Sequence, residues 1–273
     1  MSNTGYHISK FTVGISMVVL IIVLAVAAPL IVSQDPARIS VQEALLSPSG
    51  HHLFGTDSLG RDLFARILYG ARISVLIGFV AVGISSVIGI ILGSLAGFHG
   101  KWVDEVIMRF VDVMLCIPTF FLILTVVALT EPSMTNIMII IGMTSWMGIA
   151  RIIRGQILSL KEREFILAAR MLGFSSGRII ARHLVPNAMG PVIVHITLAV
   201  ASAIFVESSL SFLGIGVQPP TPSWGNILME AKSTLGTAWW ITFFPGLFIF
   251  FTVFGFNLIA EGLKERIEHA NVA

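Results

Sequence analysis

The 273-residue chain contains a single cysteine, Cys116, so no internal disulfide can form. Its place inside an apolar run reads as a small core position. Charge is also scarce: Asp, Glu, Lys and Arg together make up 12% of residues, against about 25% in a soluble domain. No phosphate-binding G-x-x-x-x-G-K-[ST] loop occurs. Its nearest approach, Gly100-Lys101-Trp102, has Leu95 where the first glycine belongs and Trp after the lysine. There is no H-E-x-x-H and no cluster with metal-ligand spacing. A self-contained ATPase and a zinc hydrolase are thereby excluded.

What the chain has instead is apolar length. Hydrophobic residues are 55% and the mean hydropathy is +0.91, which places it in the membrane class. Six runs are long enough to cross a ~30 Å hydrocarbon core: Phe11–Val32, Ile73–Phe98, about Val106–Leu129, Ile137–Ile153, Pro191–Val217 and Ile241–Ala260. The expected fold is all-α and polytopic, with six transmembrane helices. The first run exceeds a signal-peptide core, so it reads as a permanent anchor despite Ala25-Val-Ala27. Residues 1–10 then form a cytoplasmic N-terminus, 11–32 the first span, 33–72 an extracytoplasmic loop, and 73–273 a five-helix core. Most Lys and Arg then fall on the cytoplasmic side, with both termini.

Several residues inside this frame invite a role. Gly89, Gly93 and Gly97 form a small-residue stripe that lets helix backbones approach closely, within the bundle or against a second subunit. Arg109 and Asp112 lie three apart on one helical face and form an expected ion pair, with a gate as the alternative, since lone charges are costly in hydrocarbon. Pro118 is expected to kink the third span. Trp146 lies near the middle of the fourth, as packing or a pathway wall. In the fifth, His195 lies roughly 6 Å from the start and Glu207 roughly 24 Å. An intramembrane carboxylate is a pathway or gate candidate; the alternative is a hydrogen-bonded helix tie with Ser208 and Ser209, and for His195 a helix–helix contact. Asn257 is expected to bond across helices, and Trp239-Trp240 and Trp224 to sit at the interface. Residues 61–68 alternate apolar and polar positions as a short interfacial amphipathic helix would. Glu131-Pro132 reads as a tight external turn.

The stretch Arg151–Pro186 cannot lie in a bilayer. It carries Arg151, Arg154, Lys161, Arg163, Arg170, Arg178 and Arg182, which puts it in the cytoplasm. Ser159 and Glu162 have capping-box spacing. Phe165, Ile166, Ala169 and Leu172 follow at helical spacing, and Gly173 stands where a left-handed residue would end the helix. Ser175 can cap a second helix that Pro186 would stop. Two short helices with an apolar, small-residue face are expected, either folded back on the bundle or offered to a cytosolic partner.

Phe165-Ile-Leu167-Ala168-Ala169-Arg170-Met-Leu-Gly173, followed by Arg178, His183, Leu184 and Pro186, resembles the EAA loop of ABC-importer permeases. Leu167 stands where that family has Glu. Three further patches, from Phe54 to Arg72, from Asp104 to Pro118 and from Glu207 to Gly225, are similar to the dipeptide, oligopeptide and nickel branch. The resemblance implies a type-I importer permease whose loop 154–187 carries a coupling helix seated in an ATPase subunit. It implies a second, homologous permease (a heterodimer), two ABC ATPase subunits holding the ATP and Mg, and an extracytoplasmic binding protein, in a bacterial or archaeal plasma membrane. This chain itself would carry no cofactor and no metal, and would bind no nucleic acid. Peptides are the implied cargo, with nickel chelates or glutathione as alternatives. An ion-coupled transporter would want more intramembrane carboxylates than Glu207 and Asp112, and an intramembrane enzyme built on His195 would have little use for a basic cytosolic loop with an exposed small-residue face.

Overall fold

A computed structural model describes residues 9–131 and 133–272, with side chains described to residue 269. The expected N-terminal segment therefore lies largely outside the described residues, as does Pro132 of the external turn. The described chain is helical: α1 Lys10–Ile31, α2 Leu63–His99, α3 Lys101–Cys116, α4 Thr119–Ala128, α5 Met134–Thr144, α6 Met147–Leu160, α7 Glu164–Met171, α8 Ser176–Ile179, α9 Val185–Phe212, α10 Trp224–Glu230 and α11 Trp240–Val272. Five helical stretches are long and apolar enough to cross a membrane, and α3 with α4 would supply a sixth.

The bundle is built around α2, which packs against α5, α6 and α9. Its glycine stripe faces α6. A Cβ on Gly93 would come within 2.3 Å of the Ala150 carbonyl oxygen, one on Gly89 within 2.8 Å of the Trp146 carbonyl, and one on Gly97 within 3.0 Å of Arg154. The stripe is thus an internal seam, where two backbones meet because the side chains between them are missing. A second seam joins α1 to α11: Gly14 lies against the Gly255 carbonyl, and Gly262 against Phe11. Lys10 Nζ reaches Glu261 at 3.0 Å and Glu265 at 3.1 Å at one end of it.

Pro118 does more than kink. The chain breaks between α3 and α4, which meet at 82°, and Cys116 is exposed at that break rather than buried. The fourth run also breaks, with Ser145 between α5 and α6. Residues 63–68 are no separate interfacial helix. They form the first turns of the 37-residue α2, and Leu63, Ala65, Ile67 and Leu68 are fully buried. The stretch meets protein on both sides, since Arg61, Asp62 and Arg66 of its polar positions are buried as well.

Pro186 does not stop a helix either. Helical backbone continues from α8 through a π turn at Ile180–Leu184 into α9. Proline is tolerated at a helix's first turn because the missing N–H has no partner there. Trp224 is fully buried, its Nε1 donating to the Ile67 carbonyl at 3.1 Å, and Trp240 is buried and donates to Thr56 at 3.1 Å. Of these three tryptophans Trp239 alone is exposed, as a belt residue would be. Asn257 bonds within its own helix, to the Val253 carbonyl at 2.8 Å, not across helices.

Candidate functional site

The hairpin of α7 and α8 stands on its own small core. Ile166, Ala169, Ile179 and Leu184 are buried together with Ile153, Ile157 and Val192 from α6 and α9. The capping box is not formed: α6 runs on to Leu160, and Ser159 Oγ donates back to the Gln156 carbonyl at 2.8 Å. Arg163 occupies the N-cap of α7 without a side-chain bond, and Ser175 likewise precedes α8 with no side-chain bond.

The other end of α7 is closed firmly. Gly173 adopts φ +76°; its N–H bonds the Arg170 carbonyl at 2.9 Å, and the Phe174 N–H bonds the Ala169 carbonyl at 3.2 Å. These two bonds define a Schellman motif, which needs a left-handed residue at that position. Around it, the Arg178 guanidinium lies 5.2 Å from the Phe174 ring centroid, His183 stacks on that ring at 5.9 Å, and Arg170 covers Phe98 at 5.3 Å. Lys161 Nζ reaches the Gly97 carbonyl at 3.4 Å.

What remains outward is apolar. Phe165, Leu167 and Ala168 are exposed on α7, Met171 is 91% exposed and Leu172 73%. Arg170, Gly173 and Arg178 are exposed beside them, His183 is half-buried, and Pro186 is exposed at the start of α9. Ala169, by contrast, points inward. An ordered helix with its apolar residues turned away from its own bundle is the geometry of a docking element.

A cleft of about 460 Å³ opens between α2, α4, α5, α6 and α9. Ser85, Thr119, Thr144, Ser145, His195 and Ser202 contribute polar atoms to otherwise apolar walls, and no Asp, Glu, Lys or Arg lines it. Glu207 is not among its walls. Its carboxylate is fully buried and accepts bonds from Ser211 at 2.7 Å, Ser74 at 2.9 Å and Ser208 at 3.4 Å. Trp146 is buried at the start of α6, its ring 6.1 Å from Phe110 and nearly parallel to it. His195 lies against Gly148.

The expected Arg109–Asp112 pair is not made. Asp112 pairs with Arg151 of α6, about two turns from Asp104, which takes Arg154 with Nη2–Oδ2 at 2.6 Å. Arg109 is exposed. Two parallel ion pairs therefore stitch α3 to α6, and partners about forty positions away in sequence outcompete the near neighbour.

The end of α2 remote from the α7–α8 hairpin carries a buried charge cluster that local pattern did not signal. Asp57, Arg61, Arg66 and Glu230 bond mutually, with Arg61 Nε–Asp57 Oδ2 at 2.7 Å and Arg61 Nη2–Glu230 Oε2 at 2.6 Å. Asp62 caps α2 through the Ala65 N–H at 2.8 Å and takes His52 at 2.9 Å. Gly55 and Gly60, both at positive φ, turn the chain tightly enough to bring these groups together.

The family profile of binding-protein-dependent transport system inner membrane components matches residues 89–270. The chain belongs to that family. As an inner membrane component it is 40% identical over 94% of its length to the dipeptide transport system permease protein DppC of Alkalihalophilus pseudofirmus, and 41% identical over 94% to the oligopeptide transport system permease protein OppC of Bacillus subtilis; each match covers 84% of the relative. The di/tripeptide transport system permease protein DppC of Pseudomonas aeruginosa is 38% identical over 93% of the chain and 86% of its own length. Among solved structures, the inward-facing MetNI methionine ABC transporter superposes with a TM-score of 0.58 over 75% of this chain and 95% of its own, at 17% identity. That likeness establishes the type-I importer permease fold, and the chain is a multi-pass membrane component of an ABC importer.

Proposed function

We propose that this chain is one of two nonidentical permease halves of an ATP-driven importer for short peptides. In this reading α7 seats in a groove of an ATPase subunit, which holds the ATP and Mg, and a binding protein delivers cargo to the opposite face. The outward apolar face of Phe165, Leu167, Ala168, Met171 and Leu172, on a helix closed at its C-terminal end by the turn at Gly173, carries the reading. Closure of the ATPase pair pushes α7, and α6 and α9, which share its core, rock against α2; the cleft then opens alternately to each side. The basic hairpin and both termini lie in the cytoplasm, by the positive-inside bias.

Peptide cargo is supported by relatives named for dipeptides and oligopeptides. The neutral hydroxyl-and-imidazole lining of the cleft suits molecules that share a backbone and vary in side chain. Of the pathway candidates, Glu207, Asp112 and Trp146 act as ties between helices and Arg109 stays at the surface; the cleft residues face the cargo. The test is Met171→Asp with Leu172→Asp in cells carrying the whole transporter. ATP-dependent dipeptide uptake and co-purification of the ATPase should both be lost at unchanged membrane level. Undiminished uptake with the ATPase still attached would overturn the reading, and competition by nickel chelates or glutathione but not by peptides would reassign the cargo.

A further inference from the structure

A second, larger cavity of about 600 Å³ lies on the flank of the bundle, between α1 and α2 under the loop at Pro220–Pro222. Its walls on α1 are Ile22, Ala25 and Val26, and on α2 Ile73, Leu76 and Phe79. All are apolar, as lipid-depth positions should be. Its mouth differs in character. Arg72 stands immediately before the first residue of the second apolar run, at the outer edge of the hydrocarbon, with Tyr69 one turn further out.

Arg72 is exposed and, among the described residues, forms no ion pair, in contrast to Arg61, Arg66, Arg151 and Arg154. Its guanidinium is held 5.9 Å from the Tyr69 ring, which fixes it over the groove without neutralising it. The groove is lined by segments that precede the family match at residue 89, together with the proline loop.

We propose that this groove binds one anionic glycerophospholipid of the outer leaflet, an acyl chain lying between α1 and α2 and the phosphate taken by Arg72 and Tyr69. A guanidinium offers parallel N–H donors that match phosphate oxygens, and a phenol at headgroup level supplies a further donor. An apolar slot with a few convergent polar groups at one end is the usual form of an amphiphile site. The lipid would fill a gap that the α1 and α2 side chains leave open, and fix α1 to the core. The inference is independent of the cargo and of α7.

The test uses the full chain, co-expressed with its transporter, in membranes doped with phosphatidylglycerol or phosphatidylcholine carrying a diazirine in one acyl chain. After photolysis, cross-links are mapped by mass spectrometry. Phosphatidylglycerol should label residues 22–26 and 73–79 well above the lipid-exposed Phe250–Phe254 surface of α11. Arg72→Gln should reduce that labelling about tenfold, the loss expected for a charge-assisted bond. Val26→Trp, at a 70% exposed position where the bundle core is not disturbed, should block the slot and abolish labelling while the protein level holds. Equal labelling of the groove and α11, or indifference to Arg72→Gln, would overturn the proposal.

Discussion

Arg66 and Glu230, 164 positions apart in sequence, close on each other fork to fork: Nη2 donates to Oε1 at 3.0 Å while Nη1 bonds Oε2. This contact fastens the start of α2 to the end of α10, and Arg66 Nη1 also bonds Asp57. Arg66 is 2% exposed, so its charge is sustained by those two carboxylates alone. Removing one member strands the others.

Arg66→Met should therefore cost about 3–5 kcal/mol, the range for breaking a buried ion pair from one side. The measurement is the unfolding temperature of the detergent-solubilised protein. A double variant, Arg66→Met with Glu230→Met, should recover much of the loss, because no unpaired charge then remains against Asp57 and Arg61. A single variant as stable as the parent would show that water reaches the cluster.

Gly93 is the tightest point of the α2–α6 seam. Gly93→Val places methyl groups where the Ala150 carbonyl already stands and should force the helices apart, costing about 1–3 kcal/mol or more in overpacking. Gly83, on the same helix, meets nothing within 4 Å, so Gly83→Ala should be silent. Size-exclusion profiles and membrane yield of the two variants distinguish them.

These seams show what could be read without coordinates. Glycines at four-residue spacing in an apolar run have one main use, and the stripe at Gly89, Gly93 and Gly97 reports its own contact. Gly173 is equally local, since a helix end requires a left-handed residue whatever lies beyond it. The pairing of Arg66 with Glu230, and of Asp112 with Arg151, depends on which helices become neighbours, information spread over the whole chain. Residues 63–68 failed for another reason. Arg61 and Arg66 read as the wet side of an amphipathic helix, yet both are buried in ion pairs with Asp57 and Glu230. Trp224 and Trp240 were misplaced likewise, because an indole with a buried carbonyl partner needs no interface.

Glu207 accepts bonds from Ser74, Ser208 and Ser211 in a pocket closed to the cleft. Glu207→Gln places an NH₂ where a carboxyl oxygen faced a serine hydroxyl, so at least one of these bonds must be rearranged. A loss of about 1–3 kcal/mol in stability is expected, with the relative uptake rates of different dipeptides unchanged. Competition assays against a labelled dipeptide check this. Altered preference at intact stability would return Glu207 to the pathway.

Gly173 tests the lever itself. No atom lies within 4 Å of where its Cβ would be, so a substitution there creates no clash and acts only through the backbone. Gly173→Val should destabilise the left-handed turn by about 1–2 kcal/mol or more, loosening the Schellman closure and the angle at which α7 presents Met171 and Leu172. Gly173→Asn, whose side chain tolerates that conformation, should keep most function. The expected pattern is normal membrane level for both, uptake falling several-fold for valine alone, and ATP hydrolysis no longer matched to transport. If valine and asparagine behave alike, the turn geometry at this position does not transmit the stroke.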